Sequence, residues 1–147
     1  MKLLDKLFKV DKERIVNGVC FKRLPLFGKY KYILTEDYDI KTELSHAINH
    51  PFIILDGSGR LTIKKGYAWD GASGITIDTD SSMRGALIHD ALYQLMREGL
   101  LDICNRDYAD RLLRDICIED GMYKWRAKYW YWCVSKFAEK YARPEAI

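Results

Sequence analysis

The chain has 147 residues, 48% of them hydrophobic and 31% charged, a composition ordinary for a soluble globular protein with one real core. Its net charge of +3 is too small to predict nucleic-acid binding. Cys20, Cys104, Cys117 and Cys133 are widely spaced with no Cys-x-x-Cys pair, which argues against a zinc site and fits reduced thiols in a cytosol.

Residues 1–10 are a short amphipathic piece, charged at Lys2, Asp5, Lys6 and Lys9, rather than the uninterrupted apolar core of a secretory signal. No stretch reads as a transmembrane span. Val16, Val19, Phe21 and the run Tyr30-Lys31-Tyr32-Ile33-Leu34 read as short strands. His46 and His50 stand four apart, the spacing of two metal ligands, but no third ligand is near and Pro51 closes the segment. Phe52-Ile53-Ile54-Leu55, the turn Asp56-Gly57-Ser58-Gly59 and Leu61-Thr62-Ile63 form the best hairpin in the first half. Leu61 and Ile63 alternate with Thr62 and Lys64, as a half-buried strand requires.

The loop 67–80 holds Asp70, Ser73, Thr76, Asp78 and Asp80 with Gly71 and Gly74. Its oxygens suit a hard cation in type, yet it has no EF-hand spacing. Asp80 or Ser81 caps a first helix, which stops at Gly99. Its core stripe is Met83, Leu87, Ile88, Ala91, Leu92 and Leu95. His89 and Tyr93, neighbours at i and i+4, fall on the opposite face with Ala86 and Asp90 beside them.

A second helix starts after Asn105 and ends at Gly121, with the stripe Ala109, Leu112, Leu113, Ile116 and Cys117. Asp110 sits at the edge of that stripe, where it either reaches the first helix or pairs at the surface with Arg106 or Arg114. A third helix is predicted over 122–142, with the stripe Met122, Trp125, Tyr129, Trp132, Cys133, Phe137 and Tyr141 covering the other two helices. Lys124, Arg126, Lys128, Lys136, Lys140 and Arg143 interleave with its aromatics, so an anionic membrane surface or nucleic acid is the alternative to solvated lysines. The chain is thus read as one α+β domain over 1–147. It is β-rich over 12–66, with a loop over 67–80 and helices over 81–142, antiparallel hairpins packing on a three-helix unit.

Tyr67-x-x-Asp70-Gly71-Ala72-Ser73, Leu87-Ile88-His89-Asp90-x-x-Tyr93, Arg106-x-x-Ala109-Asp110 and Gly121 together resemble a family common in tailed phages and prophages and known only as a domain of unknown function. The resemblance covers roughly residues 30–140. One departure is that Gly74 and Ile75 follow Ser73, where the family has a proline. It implies a protein of the host cytoplasm or the virion, with phage or host proteins as partners.

His-Asp-x-x-Tyr on one helix and Ala-Asp on the next are also similar, more distantly, to secreted and viral phospholipases A₂. That resemblance implies His89 as general base on a water, Asp110 as its orienting carboxylate and Tyr93 in support. It implies calcium held by Asp90 and by the loop around Trp69, Gly71 and Ser73, with Asp70 a further candidate. The loop is glycine-poor for that role, and Leu92 stands where secreted members have a half-cystine. The first reading is therefore a non-catalytic virion or host-interaction component that retains a His/Asp site. The alternative is a calcium-assisted ester hydrolase. Both rest on one geometric expectation: the short connection after Gly99 makes the first two helices antiparallel, Asp110 touches His89 or Tyr93, and the 70–74 loop covers the far side of His89.

Overall fold

Two-residue and four-residue turns set the first half of the chain. In the computed structural model, which describes residues 12–25, 28–71 and 78–144, Val16 pairs with Val19 across Asn17-Gly18. Both turn residues have positive φ, 50° and 83°, the combination that a type I′ hairpin needs and that Asn-Gly supplies. The sheet so begun runs β1 (Arg14–Val16), β2 (Val19–Arg23), β3 (Tyr32–Leu34) and β8 (Ala68–Trp69), antiparallel throughout. Phe21, Tyr32 and Trp69 pack their rings on its buried face, centroids 5.5–6.0 Å apart.

The second sheet has the order β4 (Tyr38–Lys41), β7 (Arg60–Ile63), β6 (Ile53–Leu55) and β5 (Ile48–Asn49). Its β6–β7 hairpin is the one read from the sequence. Asp56 Oδ1 closes the turn by accepting from the backbone N–H of Ser58 and Arg60 at 2.9 and 3.0 Å. Ile53, Leu55, Leu61 and Ile63 are fully buried on one face.

The α+β expectation is met: the strands occupy the N-terminal half and the helices the C-terminal half. The chain divides into two compact units, Met1–Gly71 and Ala72–Ile147, and the boundary falls inside the 67–80 loop. Among the described residues no helix is long and apolar enough to cross a membrane.

The helical unit comprises α1 (Asp80–Arg97), a 3₁₀ turn (Ile103–Asn105), α2 (Arg106–Glu119), α3 (Lys124–Phe137) and the short α4 (Glu139–Ala142). The N-cap of α1 is Thr79, one residue before the predicted start, and its backbone N–H donates to Ser82 Oγ at 2.9 Å. Gly99 follows the helix with φ 75°, and the Leu100 N–H returns to the Leu95 carbonyl, which stops the helix where the sequence places its end.

The third helix departs from expectation in two ways. It ends at Phe137, and α4 continues separately, with Arg97 donating to the Tyr141 carbonyl at 3.0 Å. More importantly, it faces the other way. Trp125, Tyr129, Trp132, Phe137 and Tyr141 are all exposed, and only Met122 and Cys133 of the predicted stripe are buried. The buried side is Ala127, Trp130, Cys133 and Val134. The helix carries two stripes on nearly opposite faces, and reading by side-chain size selects the aromatic one. Packing selects the other, where Ala127, Cys133 and Val134 around the single ring of Trp130 let α3 lie on α2.

Helices α1 and α2 run antiparallel. Arg84 near the start of α1 grips Asp120 just past the end of α2, with Nε–Oδ2 and Nη2–Oδ1 both 2.9 Å. One residue on, a Cβ added at Gly85 would meet Cys117 Sγ at 2.8 Å and the Leu113 carbonyl at 3.3 Å. The two backbones therefore touch at Gly85, one turn before His89. Gly85→Ala should lower stability by about 1–2 kcal/mol, the overpacking strain exceeding the gain in helix propensity. Thermal unfolding checks this, and adding Cys117→Ala should restore part of the loss by removing the blocking sulfur.

Candidate functional site

Helix α1 is buried on almost all sides, so the face opposite its predicted core stripe is also covered. His89 is 8% exposed and Tyr93 4%. What covers them includes Asp110, four residues into α2 and 0% exposed. The surface-carboxylate alternative for Asp110 is thereby overturned. Its Oδ1 accepts from His89 Nε2 at 2.7 Å and from the Tyr93 hydroxyl at 2.6 Å. The rings of His89 and Tyr93 lie one above the other, 4.1 Å between centroids, as i and i+4 side chains do. The antiparallel helices thus bring Asp110 into contact with both side chains.

A carboxylate can only accept, so its partner nitrogen must carry the proton: His89 is held with Nε2–H toward Asp110. This leaves Nδ1 as the nitrogen whose lone pair or proton is available. Asp90 lies on that side, Oδ1 4.0 Å from Nδ1, with its side chain one-third exposed. Burial alone would disfavour the imidazolium. The Asp110 hydrogen bond and the Asp90 carboxylate outweigh it, and His89 titrates above the ordinary value of 6.5. Burial, then the Asp110 carboxylate, push the Tyr93 hydroxyl far above its ordinary range, so Tyr93 serves as a proton donor in a fixed hydrogen bond.

The second oxygen of Asp110 is less well served. Among the described residues no hydrogen bond reaches Oδ2. Arg106, one turn earlier on α2, places Nη1 3.5 Å away. The same guanidinium donates to the carbonyls of Val134 and Ser135 at 3.3 Å each, so it ties the start of α2 to the end of α3. Tyr131 adds a second tie, its hydroxyl 2.7 Å from Asp107 Oδ1. The sequence marks Arg106 as a motif residue and as a surface partner for Asp110, not as a tie to the third helix, and it does not name Gly85. The signal for Gly85 is its position one turn before His89, where a small residue permits close helix contact.

Of the residues expected to hold calcium, Asp90 stands on α1 beside His89 Nδ1. Ser73 lies outside the described residues, as does most of the 70–74 loop expected to cover His89. Trp69 is part of β8, and its carbonyl accepts from the Lys31 N–H at 3.1 Å. Its buried indole Nε1 has no hydrogen-bond partner among the described residues. Asp70 and Gly71 follow it, the latter buried with φ 70°. Among the described residues no three His, Cys, Asp or Glu side chains are placed to hold a metal ion. His46 is exposed, and His50 Nδ1 accepts from the Phe52 N–H at 3.0 Å, which stabilises the turn. A groove of about 330 Å³ on the second sheet, lined by Asp39, Lys41, Asp56 and Arg60 among others, includes none of the predicted site residues.

The raised titration of His89 has a thermodynamic consequence with a definite sign. Below 6.5 the imidazole is protonated in both folded and unfolded chains, and its interaction with Asp110 and Asp90 contributes in full. As pH rises from 6.5 through the folded-state value, the unfolded chain loses its proton first and that contribution disappears. His89→Gln should therefore flatten the fall in melting temperature over this interval, and the two proteins' melting curves against pH should differ most on the acid side. Equal pH dependence in both would show that His89 is not the titrating group.

A family model described as "Protein of unknown function (DUF1353)" matches residues 46–134, a span that includes α1, α2, nearly all of α3 and the whole His89–Asp110–Tyr93 cluster. Searches of curated proteins and of solved structures found no match. With more than half of its length inside that match, the chain belongs to the DUF1353 family, whose function is unknown.

Proposed function

We propose that the chain is a hydrolase in which His89 Nδ1 takes a proton from a water. The observation that carries this reading is Asp110 Oδ1, which accepts from His89 and Tyr93 together and leaves Nδ1 beside the part-exposed Asp90. A buried carboxylate on one imidazole nitrogen fixes the tautomer and supports the imidazolium that forms when the other nitrogen acts as base. Asp110 and Tyr93 are positioning residues in this scheme. A structural network would need neither an adjacent acid at Nδ1 nor a carboxylate oxygen left without a hydrogen bond.

On an ester the steps balance without further reactants. The water proton passes to Nδ1 as its oxygen attacks the carbonyl carbon. The carbon–oxygen bond to the alcohol then breaks, and the proton on Nδ1 passes to the departing oxygen. The resemblance to phospholipases A₂ makes a lipid ester the first substrate class to try. It also assigns calcium to Asp90, and no step here depends on a cation.

A second reading is favoured by one observation, the 8% exposure of His89. Here the cluster is structural, and the protein is a non-catalytic phage component in the virion or acting on a host protein in the host cytoplasm. The two readings diverge on stability. Truncating a partner in a structural network leaves the others unpaired and costs about 1–3 kcal/mol for each change.

Turnover of a lipid ester in calcium and in chelator decides between them. Wild type should hydrolyse it with a rate that rises with pH through a midpoint above 6.5. His89→Gln should lose on the order of 10²–10⁴-fold. Asp110→Asn should lose activity and bring the midpoint down. Loss of wild-type turnover in chelator would show that a cation is also needed. No turnover in either condition, with His89→Ala and Asp110→Ala both strongly destabilised, would leave the structural reading standing.

A further inference from the structure

Helix α3 is amphipathic in reverse. At about 100° per residue, Trp125, Tyr129, Trp132 and Lys136 fall within about 60° of one another. The first three are 69%, 55% and 51% exposed. Phe137 extends the patch, its ring edge-on to Trp132 at 6.0 Å between centroids, and Tyr123 and Tyr141 are exposed at either end. Monomeric proteins rarely leave so many large rings together in water, and such patches mark binding surfaces.

The charges on the two helices that carry the patch are mostly positive. Lys124, Lys128, Lys136 and Lys140 lie on the same two helices, and among the described residues no acid pairs with them. The single acid there, Glu139, is taken by Arg143 at 3.2 Å. This charge pattern selects among occupants. A second copy meeting the patch about a two-fold axis would set lysine against lysine, which costs affinity. Single-stranded nucleic acid stacks on aromatics inside a basic groove, whereas α3 presents a convex ridge. A flat anionic surface accepts a convex ridge: the indoles and phenols enter the headgroup layer with their polar tips wet, and the lysines reach the phosphates.

We propose that the exposed face of α3 docks on bilayers rich in anionic phospholipids. The inference is independent of the hydrolase reading, since it uses none of the residues around His89.

Vesicle co-sedimentation of the full chain tests it, using phosphatidylcholine alone or mixed with phosphatidylglycerol. The protein should bind the mixed vesicles, weaken with added salt, and shift its tryptophan emission to the blue, because Trp125 and Trp132 are the exposed indoles. Lys124→Gln, Lys128→Gln and Lys136→Gln should each weaken binding by roughly fivefold. Trp125→Ala with Trp132→Ala should abolish the spectral shift, and an unchanged melting temperature will show that the fold survives. No binding to mixed vesicles overturns the proposal. So does equal binding to phosphatidylcholine alone, or tighter binding to an oligothymidylate that competes with the vesicles. A dimer in sedimentation velocity that the tryptophan changes disperse would assign the face to a second copy instead.

Discussion

Burying the Asp110 carboxylate is the constraint on which the helical unit depends. An ionised carboxylate taken out of water loses several kcal/mol of solvation, and it is tolerated only where hydrogen bonds replace that solvation. Here they come from α1, as the His89 and Tyr93 side chains, with a weaker contribution from Arg106 on the same helix as Asp110. The two donors stand one turn apart, so the acceptor must lie alongside α1 at the height of that turn. This fixes both the register of α2 on α1 and its rotation. The Arg84–Asp120 pair holds the far end of the same interface, and Gly85 lets the backbones approach between these points. Hydrophobic burial drives the helices together, and the polar contacts select one arrangement from the many that would bury similar area.

The same geometry ties the site to α3. Arg106 stands within reach of Asp110 and also caps the carbonyls of Val134 and Ser135. Any motion of α3 along its axis would therefore alter the charge facing the second oxygen of Asp110. The titration of His89 rests on the same set of groups. Its raised value is the balance of burial against two acids, one deep and shared with Tyr93, the other part-exposed. A histidine placed this way combines a fixed tautomer with a nitrogen set beside a second carboxylate, whichever of the two functional readings holds.

Much of this was legible in the sequence, and the parts that were not share a cause. The β6–β7 hairpin declares itself because Asp56-Gly57-Ser58-Gly59 has local turn chemistry and the flanking strands alternate. The ends of α1 and α2 are visible because Gly99 and Gly121 act locally, whereas the cap of α1 falls on Thr79, one residue before Asp80. The meeting of Asp110 with His89 and Tyr93 follows from a short connection between two periodic segments. By contrast, β5 and β8 are two-residue strands whose identity lies wholly in their partners, and a two-residue segment has no period to read. The orientation of α3 failed for a related reason. Periodicity offered two faces, and the choice between them depends on how closely α2 approaches, which no residue within α3 encodes.

That choice of face is itself informative. Turning α3 by half a rotation would bury Trp125, Tyr129 and Trp132 and expose Trp130, a net gain on the order of 1–3 kcal/mol from area alone. It would also place three rings where Ala127, Cys133 and Val134 now sit, forcing α3 away from α2. The Val134 and Ser135 carbonyls would leave Arg106, and Tyr131 would leave Asp107. Arg106 would then face a buried carboxylate without the contacts that hold it in place. Each of those three hydrogen bonds involves a charged group and is worth about 1.5–3 kcal/mol, enough together to cancel the gain from the rings. The exposed aromatic ridge is therefore the counterpart of the buried acid: the helix shows Trp125, Tyr129 and Trp132 to the outside because the face with Ala127, Trp130, Cys133 and Val134 and the carbonyls beside it are needed within.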